Sequence, residues 1–147
     1  MKFAGSVIIE ASRDKVWQSL TDPNLVSQCA PGLESMRIVE PDKQFNVVAS
    51  VGFGSVKMTF DANVEWEELE APDYARVKAH GKAPGNGVDV VSEMRLSDAP
   101  DGATQMDWNA DVVLVGSMAG LASRLMGGIT KKMSAAFFDC IKGKIEV

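Results

Sequence analysis

Residues 56–67 have the sequence VKMTFDANVEWE, in which apolar and polar side chains alternate without a break. Successive side chains of a β-strand point to opposite faces, so this stretch predicts a strand with one buried and one solvent-facing side. Similar alternation recurs over residues 88–96 and 105–114. Half-buried strands of this kind are typical of an antiparallel sheet, because strands of parallel sheets are usually apolar on both faces.

Turn-forming residues divide the surrounding sequence into segments of strand length. Proline, glycine, asparagine and aspartate cluster at residues 41–42, 52–54, 71–73, 84–87 and 100–102. This spacing predicts a meander of some six strands between residues 33 and 115. Residues 3–10 predict one more strand, followed by two short helices that Ser12 and Asp22-Pro23 begin.

The apolar period changes again after Gly116, where apolar side chains recur at helical spacing over about six turns. A helix of this length must cover the apolar face of the sheet. We therefore expect one α+β domain over residues 1–147, with a curved antiparallel sheet of about seven strands wrapped around a long C-terminal helix and two short helices after the first strand.

Composition limits the partners and the location of the chain. The net charge of −5 argues against nucleic acid as a partner, since phosphate binding requires a basic surface. The sequence contains neither a membrane-spanning apolar run nor a signal peptide, so we expect a cytoplasmic protein. In a reducing compartment, Cys29 and Cys140 are expected to be separate buried thiols rather than a disulfide.

No catalytic motif is recognisable, and we expect no metal and no cofactor. The single histidine, His80, falls on the polar side of its predicted strand, and the two cysteines lack the spacing of a zinc site. The carboxylates of the alternating strands also fall on the polar side. A catalytic carboxylate inside the fold would require a β-bulge that shifts this alternation.

The predicted inner faces of the sheet and the helix carry many methionines and aromatic residues. Methionine fills irregular space and adapts to different apolar guests, so these residues predict a ligand cavity, although a packed core would show the same spacing. Gly127-Gly128 favours the cavity, because each mid-helix glycine costs about 1 kcal/mol relative to alanine. Either another backbone approaches closely there, or a gap between helix and sheet stays open. The predicted cavity residues are Phe53, Met58, Phe60, Trp66, Met94, Met106, Trp108, Met118, Leu121, Leu125, Met126 and Ile129.

Several motifs together resemble a known family. They are the opening residues 3–5, the run VWQSLTDP at residues 16–23, the turn CAPGLES at residues 29–35, and the helical residues 123–125, 131–133 and 137–138. This combination resembles the G subunit of carbon monoxide dehydrogenase, a family of the START-like (SRPBCC) helix-grip superfamily. The Asp-Pro followed by Cys-x-Pro-Gly is the most specific part.

The resemblance implies a noncatalytic accessory protein that binds a hydrophobic small molecule, a lipid or quinone, and helps a molybdenum hydroxylase-type dehydrogenase reach the membrane or mature. A small cyclase- or hydrolase-like enzyme and a ligand-free assembly factor are the alternatives. Residues 116–147 carry five basic and two acidic side chains. Peripheral contact with the inner face of the membrane through this basic helix is therefore a further expectation.

Overall fold

An antiparallel sheet of seven strands forms one layer of the protein, whose computed structural model describes residues 1–146. The strands are β1 (Lys2–Ile9), β2 (Leu33–Glu40), β3 (Gln44–Phe53), β4 (Val56–Glu70), β5 (Tyr74–Ala83), β6 (Asn86–Asp98) and β7 (Thr104–Gly116). Their spatial order is β1-β7-β6-β5-β4-β3-β2, so β2 to β7 form a meander and β1 closes against the last strand.

Two short helices follow the first strand, and each begins at a side-chain cap. Ser12 accepts a hydrogen bond from the backbone N–H of Lys15 at the start of α1 (Arg13–Leu20), and Asp22 accepts one from Asn24 at the start of α2 (Pro23–Cys29). Such caps satisfy N–H groups that have no partner within the helix. Both helices begin where the sequence predicts them.

The long helix α3 (Ala119–Ile145) packs across the concave face of the sheet. The strand alternation and the change to helical spacing after Gly116 therefore predicted the right architecture, and the helix-grip fold is confirmed. One bulge interrupts the alternation of β4, where the register with β5 shifts between Trp66 and Glu68.

The buried side chains form two clusters, one toward each end of α3. The first is centred on Ile9, Val16 and Ile141, which are completely buried where β1, α1 and the last turns of α3 meet. The second joins β3 and β4 to the first turns of α3 through Phe53, with Ala122 at its centre. Between Ala122 and Ile141, no residue of α3 is fully buried.

The prediction that the two cysteines are separate thiols is wrong, because Cys29 and Cys140 form a disulfide. Their separation of 111 residues gave no hint of their proximity. The curled sheet brings the end of α2 against the last turns of α3, which places the two Cα atoms 5.5 Å apart. This distance lies in the range that a disulfide requires.

Candidate ligand cavity

Two apolar cavities lie between the concave face of the sheet and the helices. The inner cavity, of about 320 Å³, is lined by Leu20, Val26, Pro31, Trp66, Ala75, Val77, Ser92, Glu93, Met94, Met106, Trp108, Met133, Ser134, Phe137 and Phe138. The edge cavity, of about 350 Å³, is lined by Leu20, Pro23, Val26, Ser27, Ala30, Leu33, Met36, Phe45, Val47, Ala49, Val64, Trp66 and Val77.

The two cavities share one wall. Leu20 of α1, Val26 of α2, and Trp66 and Val77 of the sheet border both spaces. Trp66 and Val77 are directly opposite each other on β4 and β5, so the same cross-strand pair separates the cavities. The two cavities therefore adjoin at this cross-strand pair.

Cross-strand register also positions the far wall of the inner cavity. Met94 of β6 is paired with Trp108 of β7, and Trp108 is paired in turn with Gly5 of β1. A Cβ atom on Gly5 would lie 2.8–2.9 Å from three indole atoms of Trp108. Glycine at this position is therefore what allows the indole to lie flat against β1.

Polar groups are few in this lining. Ser92 donates its hydroxyl hydrogen bond to the backbone oxygen of Asn109, at 2.8 Å. Glu93 is the one titratable residue in this lining within the part of the chain that the structure describes, but its carboxylate lies on the outer face of the sheet, because Glu93 is paired with Arg76 and alternates with the inward-facing Met94. Its carboxylate accepts a hydrogen bond from the Tyr74 hydroxyl, and this bond, with Arg76 and Arg95 nearby, holds the pKa of Glu93 below its ordinary value.

The predicted cavity residues divide into two groups. Trp66, Met94, Met106 and Trp108 lie together in the inner cavity. The other eight belong to the second core cluster, where they pack with Ala122, and they are Phe53, Met58, Phe60, Met118, Leu121, Leu125, Met126 and Ile129. Phe53 is only 2% exposed. These eight contact one another in a core cluster, and a ligand-binding role for all twelve residues stays a prediction.

Sequence reasoning missed the contributions of α2, β2, β3 and the C-terminal half of α3. Met133 and Phe137 belong to the apolar stripe of the helix, and Phe45 and Val47 alternate with the polar Gln44 and Asn46 at the start of β3. These periodicities were visible in the sequence. What they could not show is which part of the apolar surface is packed and which part surrounds open space.

The glycine pair in α3 does not mark a close backbone contact. No heavy atom lies within 4 Å of a Cβ built on Gly127 or Gly128, so the first of the two sequence interpretations is wrong. Gly127 instead lines an open depression of about 280 Å³ beside β1, together with Trp108 and Ser134.

Titratable groups lie mainly on the outer face of the sheet. The His80 ring nitrogen Nδ1 lies 2.6 Å from a carboxylate oxygen of Asp89, and both side chains are about half exposed. The β4 bulge does not turn a carboxylate inward, because Glu67 Oε2 lies 3.4 Å from Nε of Arg76 on the outer face. Within residues 1–146, no three His, Cys, Asp or Glu side chains form a group that could hold a metal ion. Among the helices of residues 1–146, none combines the length and the hydropathy of a membrane-spanning segment.

The curved antiparallel sheet around a long helix is the START-like helix-grip fold, and solved structures share this fold. A conserved protein from Geobacillus kaustophilus matches with a TM-score of 0.90 at 23% identity, covering 99% of this chain and 95% of that one. The ZhuI aromatase/cyclase from Streptomyces sp. R1128 matches with a TM-score of 0.76 at 20% identity, covering 99% and 93%. The structure of Ara h 8.0201 matches with a TM-score of 0.68 at 15% identity, covering 99% of this chain and 97% of that one.

The model of the CoxG family, the G subunit of carbon monoxide dehydrogenase, matches residues 5–146. The chain therefore belongs to this family, and the family resemblance drawn from the sequence motifs is confirmed. No curated protein sequence matches the chain closely enough to count as a relative.

Proposed function

We propose that this protein is a noncatalytic accessory protein that binds a hydrophobic small molecule, a lipid or quinone, between its sheet and its helices. The observation that carries the proposal is the pair of adjoining apolar cavities separated by Trp66 and Val77. Each reaches the size at which small-molecule sites begin, about 300 Å³. Their lining is almost entirely apolar, so water gains few hydrogen bonds inside and an apolar guest would displace it favourably.

Membership of the CoxG family supports a partner for this carrier. In our proposal the protein helps a molybdenum hydroxylase-type dehydrogenase to reach the membrane or to mature. It works in the cytoplasm and makes peripheral contact with the inner face of the membrane. The exposed side chains of Arg124, Lys131 and Lys132 on α3 give this helix the charge that anionic lipid attracts.

A cyclase- or hydrolase-like enzyme is the alternative, and Glu93 is the one carboxylate residue of residues 1–146 that borders the inner cavity, although its side chain lies on the outer face of the sheet. A catalytic carboxylate acting as a general acid in an apolar site usually has a raised pKa. The pKa of Glu93 is shifted in the opposite direction, because Tyr74 donates a hydrogen bond to its carboxylate. The environment of Glu93 therefore favours a structural role over acid catalysis.

A pair of valine substitutions tests the binding function. Val77→Phe would fill the wall shared by both cavities, whereas Val113→Phe would add the same atoms to a side chain that is 51% exposed on β7. We expect Val77→Phe to weaken the binding of an isoprenoid quinone or a long-chain lipid by about tenfold or more, which corresponds to about 1.4 kcal/mol. Val113→Phe should leave binding unchanged.

Tryptophan fluorescence can follow this binding, since Trp66 and Trp108 both line the inner cavity. Equal affinities of the two variants and the wild-type protein would contradict binding in these cavities. Absence of binding by the wild-type protein to any apolar probe would favour the ligand-free assembly factor.

A further inference from the structure

The depression beside Gly127 adjoins the inner cavity. It lies between β1 and the middle of α3, and it shares Trp108 and Ser134 with the lining of that cavity. Phe3 and Ala4 of β1 and Thr130 and Lys131 of α3 complete its walls. We call this depression the portal, because the two residues that it shares with the inner cavity place it between solvent and the apolar interior.

Close packing does not explain why a glycine occupies position 127 in the portal wall. A Cβ on Gly127 would meet no atom within 4 Å, so alanine would fit there and would favour the helix by about 1 kcal/mol. Gly128, the next residue, is equally unhindered but does not line the portal. A side chain at position 127 would project into the opening, so glycine keeps the portal wide at a cost in helix stability.

The chemistry of the portal differs from that of the cavity behind it. Thr130 and Ser134 present hydroxyl groups, and Lys131 presents an exposed ammonium group. No carboxylate in residues 1–146 lies within ion-pair distance of Lys131. All three side chains can donate hydrogen bonds, and lysine can only donate. The portal therefore offers hydrogen-bond donors around the mouth of an apolar cavity.

We infer that the ligand enters through the portal with its apolar chain first and keeps an oxygen-bearing head group at Lys131, Thr130 and Ser134. This inference rests on the proposed function and narrows it. The ligand class is an apolar chain with a head that accepts hydrogen bonds, either the neutral carbonyls of a quinone or the anionic oxygens of a fatty acid. An unsubstituted hydrocarbon would fill the cavity without using the portal residues.

Two matched pairs of variants test the portal. Lys131→Met removes the ammonium group and keeps most of the apolar stem, and Lys132→Met makes the same change on the neighbouring residue, which does not line the portal. Gly127→Leu narrows the opening, and Gly128→Leu places the same side chain one residue away. Isoprenoid quinone, a long-chain fatty acid and a hydrocarbon of similar length serve as probes, with tryptophan fluorescence as the signal for affinity and for the rate of uptake.

We expect Lys131→Met to weaken the binding of the head-bearing probes by about three- to tenfold, the usual range for the net contribution of one hydrogen bond. The hydrocarbon should be unaffected, and Lys132→Met should behave as wild type. A larger loss for the fatty acid than for the quinone would identify the anionic head as the preferred form, and the reverse would identify the carbonyl head. Gly127→Leu should slow uptake of all three probes relative to Gly128→Leu.

The outcomes separate the portal from the proposed function. If the wild-type protein binds the probes but both members of each pair behave alike, the proposed role of the portal is wrong. Ligand binding in the cavity would then still stand. If the wild-type protein takes up none of the probes, both the role of the portal and the proposed binding function are wrong. Lys131 is exposed, so its variant remains informative even if leucine at position 127 impairs folding.

Discussion

At the scale of single residues, the contact between Gly5 and Trp108 connects the edge of the sheet to the inner cavity. The indole lies where a Cβ on residue 5 would be, and its other side lines the cavity. Trp108 also borders the portal, so its position affects both spaces. Because the indole occupies space that a side chain on residue 5 would need, a substitution of Gly5 should change the shape of the inner cavity.

Gly5→Ala should destabilise the protein, because the indole must move by several tenths of an ångström or more to admit a methyl group. Overpacking of this kind typically costs about 1–3 kcal/mol in the free energy of unfolding. Gly52→Ala is the matched control, since a Cβ on this strand glycine meets nothing within 4 Å. Urea unfolding of both variants measures the difference, and equal stabilities would show that Trp108 does not lie against β1.

At the scale of secondary-structure elements, α2 is attached to α3 by more than packing. The Cys29–Cys140 disulfide joins the two helices, and Nζ of Lys144 donates a hydrogen bond of 2.9 Å to the side-chain oxygen of Gln28. Val26 of the same short helix lines both cavities. The disulfide therefore fixes one wall of the candidate binding site to the helix opposite it.

Replacing both cysteines with alanine should lower the free energy of unfolding by about 2–4 kcal/mol, because the bridge restricts the unfolded chain. Guanidinium unfolding with and without a reducing agent measures this effect. The wild-type protein should respond to the reductant and the double variant should not.

The disulfide also bears on the location of the protein, since disulfides are uncommon in the cytoplasm. Alkylation of the protein in intact cells, followed by mass measurement, shows whether the bridge exists there. Two alkylated cysteines in protein purified without reductant would contradict the disulfide.

Sequence reasoning succeeded where local periodicity determines structure. The alternation over residues 56–67 predicts β4 and the side of it that is buried, and the helical spacing after Gly116 predicts α3. It did not show that Met58 and Phe60 pack tightly while Trp66, on the same strand and the same face, borders open space. That difference depends on how far α3 stands from the sheet at each point, and no local pattern encodes this distance.

The disulfide was missed for a related reason. Its residues are far apart in the sequence, and only the curl of the sheet brings α2 to the end of α3. The expectation from the cellular compartment then favoured free thiols. Long-range proximity of this kind lies beyond what composition and spacing can predict.

At the scale of the whole molecule, the helix-grip fold divides α3 into parts with different surroundings. Its N-terminal turns pack with Phe53, Met58 and Phe60, whereas its later turns contribute Met133 and Phe137 to the inner cavity. Both ends of α3 are held by packed clusters, around Ala122 and around Ile141, so the part between them can leave space without loss of the fold. This division explains how one small sheet can support both a stable core and a candidate binding site.

The measurement that tests the central claim most directly is native mass spectrometry of protein purified under mild conditions, followed by solvent extraction of the sample. We predict a mass above that of the chain, and release of a compound with a long apolar chain and an oxygen-bearing head. The mass should return to that of the chain after extraction. A mass equal to that of the chain alone, unchanged after incubation with isoprenoid quinones and long-chain lipids, would contradict the claim that the cavities bind a hydrophobic ligand.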